Sequence, residues 1–127
     1  MTLQQYLDRL ENTLRSRRDI TLDHLDIRRK PEEGLLTARV RFFDGSLLGI
    51  VEQSEPKRVG LIEKIHYSYH YQSASDELIF RYDNSPHYPD LPSFPSHKHT
   101  PDGVIAAEAP DLAAVLHEID ALLYADS

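Results

Sequence analysis

The stretch RYDNSPHYPDLPSFPSHKH, residues 81–99, holds three histidines, one arginine and four prolines. Such residue types can do chemistry. An imidazole gives and takes protons near neutral pH because its unperturbed pKa is about 6.5. A guanidinium is a fixed cation whose fork suits phosphate. Metal-independent RNA cleavage needs a general base for the 2′-OH and a general acid for the leaving 5′-oxygen. It also needs a cation for the charge that develops on the phosphorane. His70, His97 and His99 are the candidate acid and base, and Arg81 is the candidate phosphate clamp. Asp83 is placed to orient an imidazole, and His87 belongs to the same catalytic set. Tyr82, Asn84 and Lys98 are the candidate substrate contacts.

The same residues allow a second chemistry. In an extended segment, His97 and His99 fall on one side, and Asp83 or His87 can complete a site for a divalent metal such as zinc. H-x-H is a common pattern, however, and the chain has no cysteine and no H-x₃-H helix to sharpen it. The first reading therefore uses no cofactor, and Asp83, His87, His97 and His99 form the alternative metal set. Plainer uses exist too. Tyr67, Tyr69 and Tyr71 suit ordinary sheet packing, and Arg81 with Asp83 can form a mere salt bridge. Glu52 reads equally as a strand end or a site carboxylate, while His24 and His117 read as structural or exposed.

Positioning these groups is the task of the surrounding elements. Thr2 and Gln5 form a capping box ahead of Leu3, Leu7, Leu10 and Leu14, which predicts a helix over residues 3–16. ITLDHLDIRR reads as a strand whose apolar phase slips between Leu22 and Leu25, the mark of a bulge. Pro31–Gly34 is a turn before the alternating strand LLTARVRFF, and Asp44-Gly45 predicts a two-residue hairpin into SLLGIVEQ. Residues 53–60 read as a loop. LIEKIHYSYHYQ is a strand with Leu61, Ile65 and the three tyrosines on one face, and Ile62, Lys64, His66, Ser68 and His70 on the other. ELIFRYD follows after a short turn, with Arg81 and Asp83 on one face. If the two strands pair, His70 and Arg81 can share a side. Residues 83–103 read as a long loop stiffened by Pro86, Pro89, Pro92 and Pro95, whose period of three is that of polyproline II. Pro110 sits for the first turn of a final helix with the stripe Leu112, Val115, Leu116, Ile119, Leu122 and Leu123. The order predicts an α+β fold: N-terminal helix, antiparallel meander of about five strands, long Pro/His-rich loop and C-terminal amphipathic helix. Residues 1–127 read as a single domain.

Composition limits the function classes. With 40% apolar residues and no cysteine among 127, the chain can bury a core but has no disulfide, thiolate nucleophile or Cys-based zinc site. No apolar run is long enough to span a bilayer, and the charged N-terminus lacks a signal-peptide core, so a cytoplasmic protein is expected. The net charge is −7, yet residues 101–127 carry six acids and no Lys or Arg, while the His-rich middle is balanced. The total therefore does not veto an RNA substrate.

YSYHYQ, then LIFRYDNSPHYPDLPSFPSHKH, then an amphipathic helix resemble the TumE-type toxins of prokaryotic toxin–antitoxin systems. That family's pattern is a Tyr-rich strand with a His, an R-[YW]-D-N-x-P-H block and a closing F-P-x-H-K-H. His70, Arg81, Asp83, Asn84, Pro86, His87, Phe94, Pro95, His97, Lys98 and His99 match it, within a resemblance over residues 35–123. Tyr88 and Ser96 stand where His is frequent. The resemblance implies a small toxin with a cognate antitoxin encoded beside it, and RNA cleavage is the commonest route of inhibition by such toxins. The expected partners are that antitoxin and RNA, with no membrane and with a homodimer left open. A non-enzymatic protein-binding module is the remaining alternative. A group-transferring toxin has no Gly-rich phosphate loop here to recommend it.

Overall fold

The computed structural model describes residues 1–125, and its first helix begins where local chemistry dictates. Thr2 Oγ1 accepts from the Gln5 amide and Gln5 Oε1 accepts from the Thr2 amide, closing the expected capping box. Helix α1 runs Leu3–Arg15, and its leucines at three- and four-residue spacing are its buried stripe. Seven strands follow: β1 (Ile20–Lys30), β2 (Glu33–Phe42), β3 (Leu47–Pro56), β4 (Ile62–Gln72), β5 (Leu78–Asp83), β6 (His97–Thr100) and β7 (Gly103–Ala106). They form one antiparallel sheet in sequence order. Helix α2 (Leu112–Leu123) closes the chain. The class is the expected α+β, with seven strands rather than about five. No helix among the described residues is long and apolar enough to cross a membrane.

Strand alternation divides the sheet into two unlike faces. Leu36, Ala38, Val40, Phe42, Leu48, Ile50, Tyr67, Tyr69, Tyr71 and Phe80 are buried under both helices. α1 approaches closely at Gly34, where an added Cβ would meet Leu7 Cδ1 at 2.7 Å. α2 starts at the N-cap Asp111, whose Oδ1 accepts from the Ala114 amide. Pro110 thus precedes the cap instead of opening the first turn. Leu112, Val115, Leu116 and Ile119 are buried, whereas Leu122 of the expected stripe is exposed. Among the described residues no helix covers the opposite face. It carries Arg39, Gly49, His70, Arg81 and His99 in one row across five strands.

Three local features set what each face holds. The expected bulge falls between Leu22 and His24 and returns Leu25 and Ile27 to the core side. A second bulge, at Gln53/Ser54 of the β3–β4 ladder, pairs Ser54 with Lys64. It moves Lys64 off the His66–His70 face, where simple alternation had placed it, and under the helices. The β2–β3 connection has three residues rather than two. Phe42 and Ser46 pair, and Gly45 takes the left-handed conformation with its N–H donating to Phe42 O.

Candidate active site

β5 and β6 build the centre of the uncovered face. Their register pairs Arg81 with His99 and Asp83 with His97, and β4 adds His70 opposite Arg81. The expected loop over residues 83–103 therefore contains strand β6, which pairs onward with β7. β6 has no apolar alternation, since His97 and His99 face one way and Lys98 the other. Residues 84–96 form a chain of short turns rather than polyproline II, with Leu91 N–H donating to Tyr88 O, Phe94 to Leu91 and Ser96 to Ser93. This segment carries Tyr88 back over the imidazoles, with ring centroids 4.8 Å from His97 and 5.9 Å from His99.

Asp83 is the hub of the site. Only 3% exposed, it accepts from Arg81 Nε at 2.9 Å and from the Ser85 amide at 3.0 Å. His99 Nε2 lies 3.2 Å from its Oδ2, and His97 Nε2 lies 2.9 Å from its Oδ1. Burial pushes the carboxyl up, but the Ser85 N–H, Arg81 and His97 together outweigh it and hold Asp83 below the usual carboxylate range. Arg81 Nη1 reaches His70 Nδ1 at 3.3 Å. A guanidinium can only donate, so Nδ1 of His70 is the acceptor and the ring is neutral with its proton on Nε2. Burial and then the Arg81 charge lower the His70 pKa, with a hydrogen bond to Gln72 opposing them.

The two β6 histidines differ. His99 keeps about a quarter of its side chain in solvent, and Arg81 more than a third. His97 is 1% exposed. Its Nδ1 donates to Pro95 O at 2.9 Å, since a carbonyl only accepts. Its Nε2 lies close to Asp83 but off the hydrogen-bonding direction, so this buried nitrogen has no hydrogen-bond partner. A lone pair facing a carboxylate is satisfied only by a proton or a cation. The ligand atoms of Asp83, His97 and His99 all lie within 4.8 Å of one another, and these three are the residues able to hold a metal.

Several expected participants lie elsewhere. Tyr82 and Lys98 fall on the helix face because they alternate with the site residues. Both reach Glu118 of α2, Tyr82 Oη donating to Oε1 at 2.6 Å and Lys98 Nζ to Oε2 at 2.7 Å. Asn84 extends the β4–β5 pairing, accepting from the Tyr67 amide and donating to Ile65 O. These three are thus tied into the fold and not aimed at the open face. His87 is exposed in the turn segment and is not one of the clustered ligands, which removes it from the expected metal set. Glu52 is no strand end. It is fully buried on the helix face, accepting from Tyr69 Oη at 2.7 Å and from Tyr6 Oη.

The family model described as Toxin TumE matches residues 8–123. The chain belongs to the TumE toxin family. No curated protein and no solved structure matches it. Membership makes this TumE-family chain the toxin of a toxin–antitoxin system, with a cognate antitoxin as its partner. The match extends toward the N-terminus beyond the resemblance over residues 35–123, taking in most of α1 and all of β1. The family's His/Arg/Asp pattern converges on the open face through His70, Arg81, Asp83, His97 and His99. Sequence reasoning missed Tyr88 as a site residue, and no spacing signal pointed to it.

Proposed function

We propose that this TumE-family toxin is a metal-independent ribonuclease acting in the cytoplasm on the RNA of its own cell. One observation carries the reading: the buried carboxylate of Asp83 accepts from Arg81 Nε and lies 3.2 Å from His99 Nε2, while Arg81 also reaches His70. Asp83 turns His99 so that Nδ1 is free to take the 2′-OH proton. The 2′-oxygen then attacks phosphorus, the bond to the 5′-oxygen breaks, and the products are a 2′,3′-cyclic phosphate and a 5′-OH. Arg81 stabilises the charge on the phosphorane. When Arg81 turns to the phosphate, His70 loses its donor at Nδ1 and a neighbouring cation. Its proton affinity rises, and it can protonate the leaving oxygen. His97, being buried, positions Asp83 and does not touch substrate. The test is incubation of purified protein with cellular RNA in EDTA, followed by end analysis. Cyclic phosphate ends are expected, with losses of about 10²-fold or more in His99→Ala and Arg81→Ala. Intact RNA beside folded protein at high concentration overturns the proposal.

The partnerless His97 Nε2 supports a second reading, a metal-dependent nuclease held by Asp83, His97 and His99. Ligand atoms about 2 Å from a tetrahedral zinc lie about 3.3 Å from one another; the three here lie within 4.8 Å of one another, so an ion would draw them closer. Such an ion would supply a Lewis acid or a lowered-pKa water. Activity lost in EDTA and restored by zinc, with one ion per chain by elemental analysis, would replace the first mechanism with this one.

A further inference from the structure

We infer that the depression over Gly49, beside His70, is a subsite for a second phosphate of a single-stranded RNA, with Arg39 as its anchor. The inference rests on the reading of RNA as substrate. Gly49 lies between Arg39 on β2 and His70 on β4 in the row that continues to Arg81 and His99. As the one position of that row without a side chain, it leaves a hollow of about 270 Å³ lined by Arg39, Leu47, Gly49, His70 and Gln72. Nothing in the fold requires the glycine. It does not adopt a positive φ, and an added Cβ would find only His70 O, at 4.0 Å. Gly34 on the covered face, by contrast, is obliged by Leu7.

Arg39 is exposed, and no ion pair or hydrogen bond engages its guanidinium among the described residues. Arg41, two residues along the same face, is held by Asp23 at 2.7 Å. Arg39 is therefore a free cation at one end of the row, and Arg81 is the cation at the site. Three strand spacings of about 4.8 Å put their backbones about 14 Å apart, a span of a few nucleotides. The hollow has no Phe, Tyr or Trp wall on which a base could stack, its one ring being the His70 imidazole, and Arg39 and Gln72 offer N–H donors. It suits the sugar–phosphate backbone rather than a base, so the contact is independent of sequence.

The test uses the full chain and a fluorescein-labelled 2′-O-methyl RNA 12-mer of mixed sequence, read by anisotropy, with cleavage of unmodified RNA followed in parallel. Arg39→Ala is expected to weaken binding on the order of fivefold, about equally for different sequences. Gly49→Glu is expected to weaken it about tenfold or more, and Gly49→Leu to weaken it by filling the hollow. Gly49→Ala is expected to give a smaller loss than Gly49→Leu, in keeping with its smaller side chain. Circular dichroism and the melting temperature confirm that each variant is folded. Wild-type affinity in Arg39→Ala and both large Gly49 variants overturns the subsite, even if RNA is cleaved. The pattern of losses without any cleavage supports the subsite and removes only the catalytic reading. Unchanged RNA affinity with lost antitoxin binding would assign the hollow to the protein partner and overturn the inference.

Discussion

At the residue scale, Glu52 puts a carboxylate in the middle of an apolar face. It accepts from two tyrosines, and Lys64 nearby donates to Tyr69 Oη at 2.9 Å and to Pro110 O. Burial pushes Glu52 up, against the opposing pull of Lys64 and Tyr69. Burial also pulls Lys64 down, against Glu52 and Asp111. An acid whose proton affinity rises on folding contributes stability that is full below its unfolded pKa, about 4.5, and lost as pH climbs through the raised value. Glu52→Gln lacks this dependence. Its stability relative to wild type should therefore increase from pH 4.5 to pH 7.5 in urea titrations, and a constant difference would refute the raised value. Glu52→Ala is a different case, because it leaves the Tyr69 and Tyr6 hydroxyls without their buried acceptor. It should cost about 1–3 kcal/mol at pH 7, read from the urea midpoint. None of this was legible beforehand. Glu52 in SLLGIVEQ reads equally as a strand end or a site carboxylate, and only the bulge at Gln53/Ser54 brings Lys64 round to the Tyr69 hydroxyl that Glu52 also engages.

At the element scale, two glycines on neighbouring strands separate what packing demands from what the open face permits. Gly34 of β2 lies under α1, and its Cβ would come within 2.7–2.8 Å of both Leu7 methyl groups. Leu7 is itself fully buried. Gly34→Ala must push α1 outward or force Leu7 off its rotamer, at a cost of about 1–3 kcal/mol. Gly49→Ala should stay within about 0.5 kcal/mol of wild type. Thermal melts of the two variants check the contrast, and equal melting temperatures would contradict it. The elements that position the site were partly readable. The bulge in β1 announced itself because Leu22 and Leu25 cannot share a face without one, whereas alternation alone left it to register whether His70 and Arg81 share a side, as they do. Strand β6 stayed hidden because its alternation is polar against polar. His97 and His99 serve Asp83 while Lys98 serves Glu118, so no hydrophobic period marks the strand. For the same reason Tyr82 and Lys98 looked like substrate contacts when they sit beneath α2.

At the scale of the whole molecule, the net charge of −7 and an RNA substrate are compatible only if charge is segregated. The acids of the C-terminal segment lie partly on α2, where Glu118 and Asp120 are tied to Lys98 and Arg17. The opposite face presents Arg39, His70, Arg81 and His99, and its buried carboxylate, Asp83, is already engaged by Arg81. Long-range repulsion is screened beyond about 8–10 Å at physiological salt, so binding depends on the few local cations. Each phosphate neutralised on a single strand contributes about −0.7 to the slope of log K against log salt. With Arg39 and Arg81 each holding one phosphate, the slope for the 2′-O-methyl 12-mer should be about −1.4, and Arg39→Ala should bring it to about −0.7. Neutralising remote acids, as in Asp120→Asn, should leave both affinity and slope unchanged at physiological salt, because α2 lies across the sheet from the strand and its charge is screened. Anisotropy titrations over a tenfold range of salt distinguish the two variants. A slope that Arg39→Ala does not alter would place the RNA off this row of residues, whatever the affinity measured at one salt concentration.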